Sequence, residues 1–469
     1  MKIVKFGGKL LRDAAAFQRA VQIVAEMALD GGAVCVVLSA IFGGRDELRS
    51  LSAAAAAKDV GWAARYEAWV ERHVDMARAL ASDVPGASPD EAAASWRVEP
   101  QALRDILTGV FDLGELSDKV LARILAFGPN ASVALFQAAC TAVGLEATYR
   151  DARQLIVTDD QFCAAHVDGA ATREALREHL GRDSGVSVLA GSVGATEKGL
   201  PTDLGRNGAD YTMSLVASAL EAKSAQLFTE GAGVSQLGGA AQKNADVIAQ
   251  MSFAEAMELS HYGSSVLHAH ALQPLQDARI PLWIRSFAQP DAPGTRVGEG
   301  AAQGRSVTGV STICDVSLLH IGGSGMTGVM GTAARLFGVL AAHDINVILI
   351  TQGSSEQSIC VALLPEDAQR AVVHIAEEFA REIARRTMEA PWVEPGVSVL
   401  GVVGENMRRR PGISGRLFCA LGEAGVNVAA IAQGANELNI SLVIAKADVS
   451  RAQAAIQRAF FGADQAGCQ

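Results

Sequence analysis

The chain has 469 residues, a formal charge of −11 and a pI near 5.4, a balance that argues against partners such as nucleic acid or acidic membrane surfaces. Its length exceeds what one compact core serves, so two or three domains are expected. With 49% hydrophobic but only 5% aromatic residues, those cores are packed largely by Ala, Val and Leu.

The N-terminal run Met1–Gly8 lacks the long apolar region of a signal peptide. Lys2–Phe6 reads as the first strand, Gly7-Gly8 as its turn and Leu11–Leu29 as an amphipathic helix. Ala33–Ser39 is apolar almost throughout, as a central parallel strand must be. Asp46–Leu107 reads as mostly helical, and no stretch reads as a spanning helix. The longest uncharged run, Ala126–Leu145, contains Pro129, Asn130 and Gln137 and reads as a buried helix with its preceding turn. Val186–Ala190 and Ala225–Thr229 are further strands, and Pro281–Arg285 closes the domain. This alternation over residues 1–297 predicts an α/β fold around a mainly parallel sheet. Cys35, Cys140, Cys163, Cys314, Cys360, Cys419 and Cys468 form no Cys-x-x-Cys pair and read as reduced core thiols of a cytoplasmic protein.

Residues 298–309 are rich in Gly, Ala and Ser and read as a linker. Beyond it lies an internal repeat: Ile350-Thr-Gln-Gly-Ser-Ser-Glu-Gln-Ser-Ile359 answers Ile431-Ala-Gln-Gly-Ala-Asn-Glu-Leu-Asn-Ile440. The same offset pairs Gly331 with Gly412, Phe337 with Phe418, Leu340 with Leu421 and Asn346 with Asn427. Each copy reads strand, Gly-rich turn, helix, strand, polar turn, strand, which places modules at 310–390 and 391–469.

Two motifs point to phosphoryl transfer. Lys5-Phe6-Gly7-Gly8 puts a lysine at a strand end, where it can neutralise a transferred phosphoryl group, and two glycines where the backbone can approach phosphate oxygens. No Walker-type Gly-x-x-x-x-Gly-Lys-Ser/Thr loop occurs. In Gly199–Leu215, a glycine-flanked Arg206 precedes Asp210 at a helix start. Helix-start N–H groups hold anions, and an arginine grips a carboxylate or phosphate bidentately.

Leu204–Tyr211 resembles the Leu-Gly-Arg-Gly-Gly-Ser-Asp-Tyr signature of aspartokinases. Val37–Leu48 is similar to their Val-Val-Ser-Ala-Met-x-Gly-Val-Thr-Asp-x-Leu, and Gly114–Ser117 to a Gly-Glu segment. Asp151–Asp160, Met257–Gly263, Val266–His268, Pro290–Thr295 and Gly412–Phe418 also have family counterparts, so the resemblance covers essentially the whole chain. The repeats resemble ACT regulatory modules. The resemblance implies an amino-acid-kinase-like sandwich followed by two ferredoxin-like α+β ACT modules. It also implies phosphorylation of L-aspartate by ATP with Mg²⁺, and a homodimer or larger assembly. It gives Lys5 the γ-phosphate, Gly7 and Gly8 the phosphate cradle, and Thr229, Glu230 and Gly233 the nucleotide. Arg206 would clamp the substrate carboxylate, Glu115 its ammonium group, and Asp210 would organise the lysine. Ser39, Arg45 and Lys9 complete the implied substrate set. Ile345, Asn346, Gln352, Asn427 and Gln433 match effector positions, whose wording favours threonine slightly over lysine.

The sequence departs from the family at both ends of this site. Lys9 and Leu10 stand for Thr-Ser, Arg45 for a threonine and Ala209 for a serine. The added cations suggest either a longer or more acidic acceptor, or pairing with local acids. Thr229–Val234 replaces Thr-Asp-Val-Asp-Gly-Val, Leu237–Ala240 replaces an Ala-Asp-Pro-Arg loop, and Ser265 replaces a lysine. These losses raise two further readings, a slow kinase or an effector-binding regulatory homologue. No dehydrogenase domain is read after the second module, so a form fused to a dehydrogenase is not expected.

Overall fold

A computed structural model describes residues 1–462 except 30, 83, 85–87, 97–99, 239–245, 264–267, 301–304, 324–330 and 354–357, with side chains also left out at 93–95. It divides into two compact units, Met1–Val234 with His268–Glu299, and Ser235–Leu267 with Gly300–Gln469.

The first unit is built on a sheet in the order Ala147–Tyr149, Val186–Ala190, Val34–Leu38, Lys2–Phe6, Ser224–Thr229, Leu282–Ser286 and Thr295–Gly298. Every pairing is parallel except that of the last two strands. Val34–Leu38 is buried at all five positions, which its unbroken apolar sequence required of a strand covered on both faces. Helices Ala14–Leu29, Phe127–Ala142 and Gly208–Ala219 pack against this sheet. Because the strands are parallel, Phe6, Leu38, Ala190, Thr229 and Ser286 all end at one edge, where α/β folds of this kind place ligands.

Three local expectations are sharpened. The first helix begins at Ala14 rather than Leu11, since Leu10 and Leu11 close turns onto the Gly7 and Gly8 carbonyls and the Asp13 carboxylate accepts the Ala16 N–H at 2.9 Å. Asp46–Leu107 resolves into helices Gly44–Ala56, Trp62–Ser82, Pro89–Trp96 and Pro100–Leu113, with a core that includes Trp62, Trp69, Leu103 and Leu107. Pro129 lies in the first turn of Phe127–Ala142, where its missing N–H costs no hydrogen bond. Asp118–Ala142 is apolar and long enough to cross a membrane by length and composition, but 67% of its apolar window is buried inside the protein.

The second unit carries one antiparallel sheet in the order Leu349–Gln352, Ser358–Leu363, Gly309–Gly322, Trp392–Val403, Asn439–Ala445 and Val428–Gln433. Each repeat adds a second helix to the expected unit (Pro365–Glu378 and Val449–Phe461), giving βαββα. Thr332–Ala342 and Ile413–Glu423 are corresponding helices, each started by a left-handed glycine, Gly331 at φ 91° and Gly412 at φ 89°.

The two modules share their two long strands. Gly309–Gly322 pairs with Trp392–Val403 along its length, with register shifts between Ile313 and Val316 and between Val316 and Leu318, and its second half pairs also with Ser358–Leu363. Val310 therefore joins the core of Leu400, Leu417 and Leu442, while Leu319 joins that of Leu336, Val361 and Ile375. A cut at residue 390 falls in the loop just before Trp392–Val403, and that strand and Gly309–Gly322 each serve both modules.

Within the expected kinase span of 1–297, Ser235–Leu267 groups with the C-terminal unit. Ser252 and Glu255 form a capping box at the start of helix Phe253–His261. The fully buried Glu255 carboxylate also accepts the Thr308 hydroxyl at 2.5 Å and the Glu405 N–H at 2.8 Å. Tyr262 shares a 2.7 Å hydrogen bond with the Ser441 hydroxyl.

Two cysteines match the core expectation, Cys35 and Cys140, whose thiols burial pushes up to about 12. Cys314 and Cys419 are exposed, Cys163 and Cys360 are partly so, and Cys468 lies outside the described residues. Replacement Glu255→Ala leaves three donors unpaired in a buried site. At roughly 1 kcal/mol or more each, it is expected to destabilise the second unit by about 3 kcal/mol. Urea unfolding of the variant checks this, with Glu255→Gln expected to lose less.

Candidate active site

Lys5 is the penultimate residue of the central strand, in register with Val37 and Leu227 on its neighbours. Its ammonium lies 2.6 Å from the Asp210 Oδ1, and both side chains are only 10% exposed. Asp210 sits in the first turn of helix Gly208–Ala219, where the helix dipole favours a negative charge. The lysine and aspartate are far apart in sequence, and the fold brings them into one buried pair.

Of the glycines after Lys5, Gly8 is required sterically and Gly7 is closely packed. A Cβ on Gly7 would stand 3.1 Å from the Lys5 ammonium, and one on Gly8 would stand 2.5 Å from the Ala40 carbonyl oxygen. Ser39 leaves the neighbouring strand here, donating its N–H to the Phe6 carbonyl at 3.2 Å. Thr229 ends the strand on the other side of Lys2–Phe6, and its hydroxyl donates to the Gly231 carbonyl at 3.0 Å. Gly233 adopts φ 152°, a conformation that favours glycine, and the following Val234 N–H is held by the Thr295 hydroxyl at 2.8 Å. Glu230 is half exposed and pairs with Arg12, whose guanidinium also lies over the Phe42 ring.

Arg206 and Glu115 are exposed and form no ion pair among the described residues. Lys9 is likewise exposed and unpaired through its ammonium. Arg45 behaves differently. Its guanidinium makes two hydrogen bonds to the carboxylate of Asp203, one of them 2.6 Å, and lies 3.5 Å from the Ser192 hydroxyl. Asp203 is only 4% exposed, so Arg45 answers a buried charge inside the protein rather than adding a free cation to the pocket. Asp203 and Ser192 were not anticipated, because nothing in the local sequence marks an acid that pairs across so long a separation.

His268, which closes the Val266–His268 segment, also belongs to this site. Its Nε2 lies 4.0 Å from the Asp210 Oδ2, and its Nδ1 lies 3.0 Å from the Asn207 side-chain amide. Burial holds its pKa below the ordinary histidine value, with Lys5 and Arg206 pushing the same way and Asp210 opposing. The arrangement presents a matched Lys–Asp pair, glycine-lined backbone and one free arginine at a sheet edge, which suits an anionic, phosphorylated ligand. Gly239, Ala240 and Ser265, where the sequence departs from the aspartokinase pattern, lie outside the described residues.

In the second unit, Ile345 is buried, whereas Asn346, Gln352, Asn427 and Gln433 are exposed. Gln352 and Gln433 end the two edge strands of the sheet, and those strands are joined by the Thr351 hydroxyl donating to the Ile431 carbonyl at 2.9 Å. The repeat mates thus face one another across a single seam.

Residues 1–286 match the amino acid kinase family, and residues 319–379 and 400–460 each match the ACT domain. A bifunctional aspartokinase/homoserine dehydrogenase from Haemophilus influenzae is 29% identical over 98% of this chain and 56% of its own length. A chloroplastic bifunctional aspartokinase/homoserine dehydrogenase from Arabidopsis thaliana is 27% identical over 97% of this chain and 50% of its own. The chain therefore spans about half the length of these curated relatives. Among solved structures, E. coli aspartokinase III in complex with aspartate and ADP is 25% identical, with a TM-score of 0.78 over 98% of this chain and 100% of that one. With the kinase match covering more than half of its residues, the chain belongs to the amino acid kinase family and carries ACT domains behind the kinase domain.

Proposed function

We propose that this protein transfers the γ-phosphoryl group of ATP to the side-chain carboxylate of L-aspartate, forming 4-phospho-L-aspartate. The observation that carries the reading is the buried Lys5–Asp210 pair at the carboxyl edge of the sheet. Likeness along the chain to proteins named as aspartokinases supports it. Phosphoryl transfer needs positioned charge more than covalent chemistry. Lys5, oriented by Asp210, would neutralise the transferred group, and the Gly7-Gly8 turn would give its oxygens backbone room. Arg206 is free to take the substrate α-carboxylate, and Glu115 is free to take its ammonium. Thr229, Glu230 and Gly233 would border the nucleotide.

The described residues contain no group of three or more metal-ligating side chains. Mg²⁺ would arrive on the nucleotide, since the ion retains waters and phosphate oxygens and needs few protein ligands. It would offset phosphate charge that the site's own cations leave unmatched.

Aspartate is preferred over a longer acid because Arg45 is already occupied by Asp203. Regulation by an amino acid at Asn346, Gln352, Asn427 and Gln433, with threonine favoured slightly over lysine, is the reading for the ACT modules. Pairing of these modules across a homodimer is supported by Ile350 and Ile431, repeat mates that are each 46% exposed on edge strands. The setting is read as cytoplasmic.

Hydroxamate trapping with Mg-ATP and a panel of acidic amino acids tests the reaction. Turnover with aspartate is expected, falling at least ~100-fold in Lys5→Ala and Arg206→Ala; silence across the panel would favour the regulatory reading instead. Arg45→Ala, which strands the buried Asp203, is expected to destabilise the first unit by about 2–4 kcal/mol in a denaturant titration. Asn346→Ala and Gln352→Ala are expected to weaken amino-acid inhibition without lowering the uninhibited rate.

A further inference from the structure

Asn207 stands at a position where the aspartokinase signature has glycine, and its backbone keeps the conformation a glycine would favour, φ 62°. It is the cap residue of helix Gly208–Ala219 and makes no side-chain bond to that helix. Its amide instead reaches His268 Nδ1 at 3.0 Å. An amide N–H donating to Nδ1 leaves the neutral imidazole with its proton on Nε2. That nitrogen is the one directed at the Asp210 Oδ2, 4.0 Å away, while the other carboxylate oxygen of Asp210 holds Lys5 at 2.6 Å. Four side chains thus form an ordered line: Asn207, His268, Asp210, Lys5.

We propose that Asn207 and His268 are positioning residues that set the imidazole tautomer, orient the Asp210 carboxylate and thereby aim the Lys5 ammonium at the transferred phosphoryl group. Neither touches the reacting atoms. The arrangement gives this chain a side-chain contact to the imidazole that a glycine at position 207 cannot make. It rests on the kinase reading of the same site and extends it to residues which that reading leaves without a role.

The charged groups facing His268 are Asp210, Lys5 and Arg206; burial first, then the two cations, hold its pKa below the usual histidine value against the opposing pull of Asp210. When pH falls through that lowered value, Nδ1 gains a proton and can no longer accept from Asn207. Turnover therefore falls on the acid side, through the histidine and not through the substrate contacts.

The test uses the full chain with Asn207→Gly, His268→Ala, His268→Gln and the Asn207→Gly/His268→Ala double variant. Glycine suits φ 62°, so Asn207→Gly removes the bond without straining the backbone. Both single losses are expected to lower kcat about tenfold, the scale of one hydrogen bond, with the aspartate KM changed less than ~2-fold. The double variant should be no slower than His268→Ala, and His268→Gln should recover part of the rate and lose the acid limb. An active wild type with unchanged kcat in both single variants, or with losses that multiply in the double variant, would overturn the proposal. Side-chain ¹⁵N NMR, assigned by the resonance missing in His268→Gln, tests it independently of turnover. A neutral ring protonated on Nε2 supports the proposal and one protonated on Nδ1 overturns it. An inactive wild type with the expected tautomer would count against the kinase reading alone.

Discussion

The Lys5–Asp210 ion pair is the constraint around which the first unit is organised. Each partner is nearly buried, and neither could be left there alone without a cost of several kcal/mol. The pair exists only if the central strand ends where the first turn of helix Gly208–Ala219 begins. Parallel pairing of Lys2–Phe6 with Val34–Leu38 on one side and Ser224–Thr229 on the other fixes the strand end. Close packing then fixes the helix: a Cβ on Gly191 would stand 2.5 Å from the Ala209 side chain, and one on Gly208 would stand 2.5 Å from the Ser192 hydroxyl. The substitution of Ala209 for a hydroxyl-bearing residue lies at this contact, where a larger group has little room.

A second charged pair, Arg45 with Asp203, occupies the part of the site where the family pattern has a hydroxyl. Its effect on the acceptor is indirect. A fixed internal pair leaves no net charge, so on the proposed reading discrimination would fall to the groups Arg206, Glu115 and Lys9. The regulatory unit follows a different logic, with two long strands lending one half to each module core. Segment 235–267, read from sequence as part of the kinase domain, is anchored in that unit through Glu255 and Tyr262.

The sheet was legible because buried parallel strands leave unbroken apolar runs, and the repeat was legible because both copies keep their turn residues. Val186–Ala190 falls where the pattern put it, and Gly331 and Gly412 start matching helices. The sharing of strands between modules was not legible, since the same period-two pattern serves either neighbouring strand. Lys5, Gly7, Gly8, Arg206 and Asp210 stood out because they lie in short motifs. Asp203 and Ser192 carry no local signature, and their meaning comes only from Arg45, far away in sequence. Asn207 was hidden in the motif itself, as a side chain where glycine was expected.

The central claim is that this site makes an acyl phosphate on aspartate. The most direct measurement is ³¹P NMR of the full chain with Mg-ATP and aspartate, followed in real time. The account predicts an acyl-phosphate resonance that grows with ADP and is absent in Lys5→Ala. Unchanged ATP at enzyme concentrations sufficient for a single turnover, in a protein that still binds nucleotide, would contradict it.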